Sequence, residues 1–193
     1  MKKFTSILKK IFLSDIAKLC FSLFLTAAIT ALLLGGTNML TSDKIAQNDA
    51  ETQLMMIREI YPYDSLFGTQ TNEDGLEYIV ARGEKNLPIG YAVNVSSQGY
   101  GGEISMLVCF DTKGTLLGVG IVSLSETQGV GTRVTSVEFL AQFEGKTAPL
   151  KLVTTTPSEK SHIAVISGAT ISSRAVVSGV NKASVLLEEY FEV

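Results

Sequence analysis

The sequence predicts an α+β protein, with one N-terminal transmembrane helix followed by a domain built on a twisted, mainly antiparallel sheet with flanking helices. Three observations carry that reading. Residues 16–36, "IAKLCFSLFLTAAITALLLGG", form one apolar run with a single charge near its start. Four segments between residues 76 and 126 have strand character and are separated by turn residues. From Ile171 onward, apolar residues recur at helical spacing.

Lys2, Lys3, Lys9 and Lys10 precede the apolar run, and Lys18 sits near its first end, where its stem reaches the headgroups. About 20 such residues suffice to cross a bilayer as a helix. The positive-inside rule keeps the Lys-rich end cytoplasmic and puts everything after Thr37 outside. A cleaved signal peptide has the same order of charge and apolar core, but this run exceeds the usual h-region and no A-x-A site follows it. The expected location is the cell membrane, single-pass. Residues 1–36 then form the cytoplasmic N-terminus and the span, 37–75 a membrane-proximal helix and loop, and 76–193 the exported domain.

After the span, Thr41 or Ser42 is expected to cap a second helix that carries Ile45, Leu54, Ile57 and Ile60 and ends before Pro62. Tyr63 to Asp74 reads as a loop. "LEYIVARG", "PIGYAVNVSS", "GEISMLVCFD" and "TLLGVGIVSLSE" supply three or four antiparallel strands. In the third, Ile104, Met106, Val108 and Phe110 alternate with Ser105, Leu107 and Cys109, which fits a strand with a buried core face. "DTKG", residues 111–114, joins it to the fourth as a tight hairpin. "TQGVGTRVTSVEFLAQFEGK" is a Gly-rich loop running into a short helix from near Ser136 to before Gly145. "LKLVTTT" is a candidate strand, and Val176, Val180, Ala183, Leu187 and Tyr190 give the last helix its apolar face.

Composition removes several function classes. A chain of 193 residues with 46% hydrophobic content suits one packed domain plus an appendage, and a net charge of -3 with no basic stripe argues against nucleic acid as a partner. Cys20 lies in the span and Cys109 outside it, so no intramolecular disulfide can form, and Cys109 reads as a small buried hydrophobe. His162 is the only histidine. A structural zinc, a CxxCH haem, a His-based triad and an iron–sulfur cluster all lack ligands.

The chemistry concentrates in "ISGATISSR", residues 166–174, where an apolar strand-like run enters a turn of hydroxyls and small residues and a helix leaves it. A helix N-terminus carries unpaired N–H groups and about half a positive charge, so it favours a phosphate. Gly168 gives backbone freedom and Ala169 minimal bulk, so a phosphorylated group can approach the Thr170 hydroxyl. On spacing alone, helix capping by Ser167 or Thr170 accounts for the hydroxyls with fewer assumptions. Ser172 and Ser173 are expected to satisfy first-turn N–H groups, with phosphate contact as the alternative.

"SGATISS" resembles the flavinylation motif of the FMN-binding domain family, whose Thr carries FMN through a phosphoester bond. "GYGGEISMLVCFD" is similar to that family's G-Y-G-G-x-I pattern, and "SETQGVGTR" to its S/A-E-T-P-G-L-G loop, in the same order. With the anchor, the chain looks like the G subunit of Rnf-type ion-translocating electron-transport complexes, a relative of the C subunit of the sodium-pumping NADH:quinone reductase. Ala164 stands where the family commonly has Asp, Gln128 where it has Pro, and Cys109 where it often has Gly; the acceptor Thr170 is retained.

The resemblance implies FMN bound covalently at Thr170, with Ser167, Gly168, Ala169, Ser172 and Ser173 around it. It implies that Gly99, Tyr100, Gly101 and Gly102 let the backbone approach the flavin, and that Glu126, Thr127 and Gly129 form a loop near the ring or phosphate. Gly101 and Gly102 also read as a plain turn, and Glu126 as a solvated loop charge. A Thr hydroxyl is a poor nucleophile with no base nearby in sequence, so a Mg-dependent flavin transferase using FAD is the implied maturation partner. The implied role is an electron carrier without catalytic residues or a metal site of its own, working with iron–sulfur and flavin subunits of an Na⁺- or H⁺-translocating ferredoxin:NAD⁺ oxidoreductase-type complex. A stand-alone exported flavin carrier and a non-redox binding module are the alternatives.

Overall fold

The structure, a computed structural model, describes residues 2–61, 65–71 and 77–191, and side chains from residue 16 onward apart from 43, 46, 190 and 191. The side chains of Lys2, Lys3, Lys9, Lys10 and Tyr190 therefore lie outside the described residues, as does part of the expected loop at Tyr63 to Asp74. The chain divides into two units, Met1–Asn48 and Asp49–Val193.

The first unit is helical. Helix α1 (Lys2–Ile60) includes Ile16–Ser42, the one stretch among the described residues long and apolar enough to cross a membrane. Its large apolar side chains, Phe21, Phe24 and Leu32 among them, are exposed, as a lipid-facing helix requires. The expected break at Thr41 or Ser42 is corrected: α1 runs on through both. Thr41 Oγ1 donates to the Thr37 carbonyl at 2.9 Å and Ser42 Oγ to Met39 at 3.2 Å, so these hydroxyls bond back into the helix rather than start a new one.

In the second unit, five strands form one antiparallel sheet in sequence order: β1 (Leu66–Thr71), β2 (Glu77–Arg82), β3 (Pro88–Gln98), β4 (Glu103–Asp111) and β5 (Leu116–Leu124). Asp111 Oδ1 accepts from the N–H groups of Lys113 and Thr115, both at 2.8 Å, and closes the hairpin between β4 and β5. Strand β1 replaces part of the expected loop, since Leu66 to Thr71 pairs residue for residue with Arg82 to Glu77. Its side chains are mostly exposed, so its pairing rests on backbone bonds and leaves no hydrophobic alternation to read.

Both faces of β4 are covered. Ile104, Met106, Val108 and Phe110 point into the main core with α3 (Thr170–Phe191), which contributes Val176, Val180, Ala183 and Leu187. Phe139 of α2 (Val137–Leu140) stacks edge-on with Phe143 at 5.5 Å and seals this core, where each buried side chain contributes about 1.5–3 kcal/mol. Strands β6 (Lys151–Val153) and β7 (His162–Ala164) pair in parallel and lead the chain to α3.

On the other face, Leu107 and Cys109 pack with Ile57 and Tyr61, at and just past the end of α1. The Tyr61 hydroxyl lies 2.8 Å from both the Tyr91 and Phe110 carbonyls. Gly90 makes room for it, because a Cβ there would sit 2.6 Å from Tyr61 Cε1. Burial raises the Tyr61 phenol above its ordinary range and pushes the Cys109 thiol up to about 12, so both stay neutral and Cys109 is no ready nucleophile. Replacing Tyr61 by Phe removes the one hydroxyl proton shared between the Tyr91 and Phe110 carbonyls and is expected to lower the unfolding free energy of the full chain in detergent by about 1 kcal/mol, read by chemical denaturation. An unchanged midpoint would mean that the hydroxyl does not tie the end of α1 to the sheet.

Candidate functional site

Extended chain after β7 reaches Ile166, turns through Ser167 and Gly168, and enters α3 at Thr170. Ala169 N–H donates to the Ile166 carbonyl at 2.9 Å, and Gly168 takes φ +83, a conformation that costs other residues about 1–2 kcal/mol. The Ala169 carbonyl accepts from Ser173 N–H at 2.9 Å, the first helical bond, so Ala169 occupies the N-cap position. Alanine has no side-chain oxygen with which to cap. Among the described residues, the N–H groups of Thr170, Ile171 and Ser172 have no hydrogen-bond partner, and neither does the Thr170 hydroxyl.

The expectation that Ser172 and Ser173 satisfy first-turn N–H groups is corrected. Ser173 Oγ donates to the Ala169 carbonyl at 2.9 Å and accepts from Ile166 N–H at 3.2 Å, fastening the incoming chain to the helix. Ser172 is 2% exposed, and its hydroxyl has no partner among the described residues. Ser167 offers its carbonyl to Arg133 Nη1 at 3.0 Å.

A cavity of about 360 Å³ opens beside this helix start, within the range of small-molecule sites. Gly168, Ala169, Thr170, Ile171 and Ser172 form one wall, and Tyr100, Glu126, Thr127, Val130 and Gly131 the other. The second wall is held by the Thr127 carbonyl, which accepts from Val130 at 3.2 Å and Gly131 at 3.0 Å, and by Thr132 Oγ1, which accepts from Gly129 N–H at 2.9 Å. Glu126 Oε1 accepts from Tyr100 N–H at 2.8 Å and Oε2 from Gly101 N–H at 3.2 Å. Gly99 and Gly102 close the same turn through a 2.8 Å bond from Gly99 N–H to the Gly102 carbonyl.

Of the expected residues, Gly168, Ala169, Thr170, Ser172, Tyr100, Glu126 and Thr127 thus face the cavity. Ser167, Ser173, Gly99, Gly101, Gly102 and Gly129 do not line it. Val130, Gly131 and Ile171 escape sequence reasoning because they sit between motif residues and carry no polar side chain. Arg133 joins the walls across 34 residues of sequence, a link no local spacing signals. The helix terminus brings partial positive charge to one wall and Glu126 a carboxylate to the other, while Arg133, which does not line the cavity, bonds the Ser167 carbonyl.

A second cavity of about 510 Å³, between the end of α1, β5 and α2, holds Glu59 and Glu144 and no motif residue. Among the described residues no group of three His, Cys, Asp or Glu side chains could hold a metal ion.

A candidate membrane helix joined to a sheet domain, with an uncapped helix start beside a small cavity, describes a membrane-anchored domain with one candidate small-molecule site. The FMN-binding domain family matches residues 99–185, and the RnfG N-terminal region matches residues 4–60. The G subunit of the Na⁺-translocating ferredoxin:NAD⁺ oxidoreductase complex of Acetobacterium woodii is 31% identical, over 85% of this chain and 87% of its own. Its counterpart in the proton-translocating complex of Clostridium ljungdahlii is 32% identical, over 84% and 86%. The chain belongs to the family of G subunits of ion-translocating oxidoreductase complexes. The fold is shared with the crystal structure of Shewanella oneidensis NqrC, at a TM-score of 0.55 and 18% identity over 69% of this chain and 70% of that one.

The two serines are expected to separate in stability measurements. Ser173→Ala removes the bonds of its hydroxyl to Ile166 N–H and the Ala169 carbonyl and lowers the unfolding free energy by about 1–3 kcal/mol, whereas Ser172→Ala, whose hydroxyl has no partner among the described residues, stays within about 0.5 kcal/mol. Equal losses in denaturant melts would contradict this division of roles.

Proposed function

We propose that this chain is a membrane-anchored, covalently flavinylated electron carrier of an ion-translocating ferredoxin:NAD⁺ oxidoreductase-type complex, with FMN attached at Thr170. The observation that carries the reading is the start of α3: three N–H groups and the Ser172 hydroxyl lie unpartnered around a free Thr170 hydroxyl. These donors fit a phosphate. Their partial positive charge stabilises it without a metal ion.

Thr170 Oγ1 is the acceptor. The phosphoester forms there as the pyrophosphate bond of an FAD donor breaks and AMP leaves, and the hydroxyl proton passes to the flavin transferase that performs the step. The Glu126 carboxylate on the opposite wall is engaged by the Tyr100 and Gly101 N–H groups, and a separate maturation enzyme supplies the base and metal ions for the transfer. The two-walled cavity gives the ring a partly apolar seat, with Ile171 on the helix side and Val130 and Tyr100 opposite. FMN supplies the electron-accepting and donating chemistry; the protein binds it, orients it and keeps it from diffusing away.

The family membership supports placing the carrier among other redox and membrane subunits, and Lys2, Lys3, Lys9 and Lys10 before the span support an extracytoplasmic flavin domain. A single span whose one charged residue, Lys18, lies near its end supports leaving ion translocation to partner subunits.

Intact mass of the full chain in detergent, co-expressed with a flavin transferase, tests the attachment. Wild type is expected to gain the mass of FMN minus water, and Thr170→Val to gain nothing. A gain that persists in Thr170→Val, or its absence from wild type, would overturn the reading.

A further inference from the structure

Glycines in the two loops opposite α3 have a purpose distinct from room for a ligand. A Cβ on Gly99 would collide with Glu126 Oε1, and one on Gly131 with Glu126 Oε2. A Cβ on Gly101 would meet the Ser125 carbonyl at 2.6 Å and Glu126 Cα at 3.2 Å. Three glycines from two loops thus form a collar around one residue, and they let its carboxylate reach the N–H groups of Tyr100 at 2.8 Å and Gly101 at 3.2 Å. Neither Gly99 nor Gly101 lines the cavity.

From this geometry we infer that Glu126 is the positioning residue of the cavity, a carboxylate latch that holds the 99–102 turn closed and sets the Tyr100 ring at the cavity mouth. The energetics favour it. Charged acceptors bind backbone donors about twice as strongly as neutral ones, and both carboxylate oxygens are used. The Gly99 to Gly102 bond closes the base of the turn, whereas Tyr100 at its tip is 72% exposed and its side chain belongs to neither hydrophobic core. A ring held there by its backbone is free to stack on a planar ligand that enters beside α3. This last step rests on the flavin reading above; the latch itself does not.

The loop patterns acquire a physical meaning on this account. Glycine at 99 and 131 makes room for the Glu126 side chain, glycine at 101 for the backbone of Ser125 and Glu126, and Glu126 places Tyr100. Removing Glu126 should therefore relieve the severest clash of an alanine at 99, leaving the 3.0 Å approaches to the Gly102 carbonyl and Ile104 Cδ1.

Hydrogen exchange of the full chain in detergent tests the latch in the Thr170→Val background, where no flavin is attached, by following the peptide that contains the Tyr100 and Gly101 amides. Exchange is expected to rise about tenfold in Glu126→Ala and in Gly99→Ala. Combining the two should add less than about twofold to Glu126→Ala alone, because the atom that Gly99→Ala displaces is gone. Glu126→Gln keeps one acceptor oxygen and should fall between wild type and Glu126→Ala. Exchange unchanged in Glu126→Ala, or full additivity of the two substitutions, would overturn the latch.

In flavin-loaded protein with Thr170 intact, Tyr100→Leu and Glu126→Ala should both lengthen the flavin emission lifetime, because a stacked phenol quenches it. A flavin present by mass whose lifetime neither variant changes would overturn the stacking step. Failure of the wild type to load flavin counts against the attachment at Thr170, and the exchange result still decides the latch.

Discussion

The first turn of α3 is a helix start without a cap. With Ala169 at the N-cap, no side-chain oxygen reaches the N–H groups of Thr170, Ile171 or Ser172, and the one hydroxyl that bonds at this corner, Ser173, turns back to Ile166. A Ser, Thr, Asp or Asn cap would contribute about 0.5–2 kcal/mol to stability. Forgoing it leaves a concentrated patch of donors beside the cavity, which a phosphate can satisfy. Thr170 stands one residue beyond the empty cap, exposed, with its hydroxyl unengaged.

Two other devices hold this corner against the rest of the molecule. Arg133 fastens the loop after β5 to the Ser167 carbonyl, and the Glu126 carboxylate fastens the same loop to the turn before β4. Behind them the sheet is covered on both faces, by α3 on one and by the end of α1 on the other, where Tyr61 reaches two strands with one hydroxyl. A carrier that exchanges electrons needs its cofactor at a fixed place, and rigid elements hold it better than loops alone.

Much of this was legible in the sequence. The anchor, the strands from β2 to β5, the Asp111 hairpin and the apolar face of α3 follow from periodicities and turn residues that burial imposes directly. The Thr170 motif was legible through its resemblance to a flavin-binding family and through the small residues around it. The exceptions have physical causes. Strand β1 pairs through its backbone and exposes its side chains, so it carries no alternating pattern. The continuous α1 hides behind Thr41 and Ser42, which look like caps but bond back within the helix. The empty N-cap was unreadable because capping propensity points to Ser167 and Thr170, whereas Gly168 at positive φ moves the helix start to Ala169. The collar around Glu126 joins residues far apart in the chain, and a glycine does not announce which atom it makes room for.

A high-resolution structure of the flavin-loaded protein would test the central claim most directly. Phosphate oxygens within hydrogen-bond distance of the Ile171 and Ser172 N–H groups, on an ester at Thr170 Oγ1, are the predicted result. A phosphate turned out to solvent, with those N–H groups still unpaired, would contradict the claim that the uncapped turn of α3 exists to hold it.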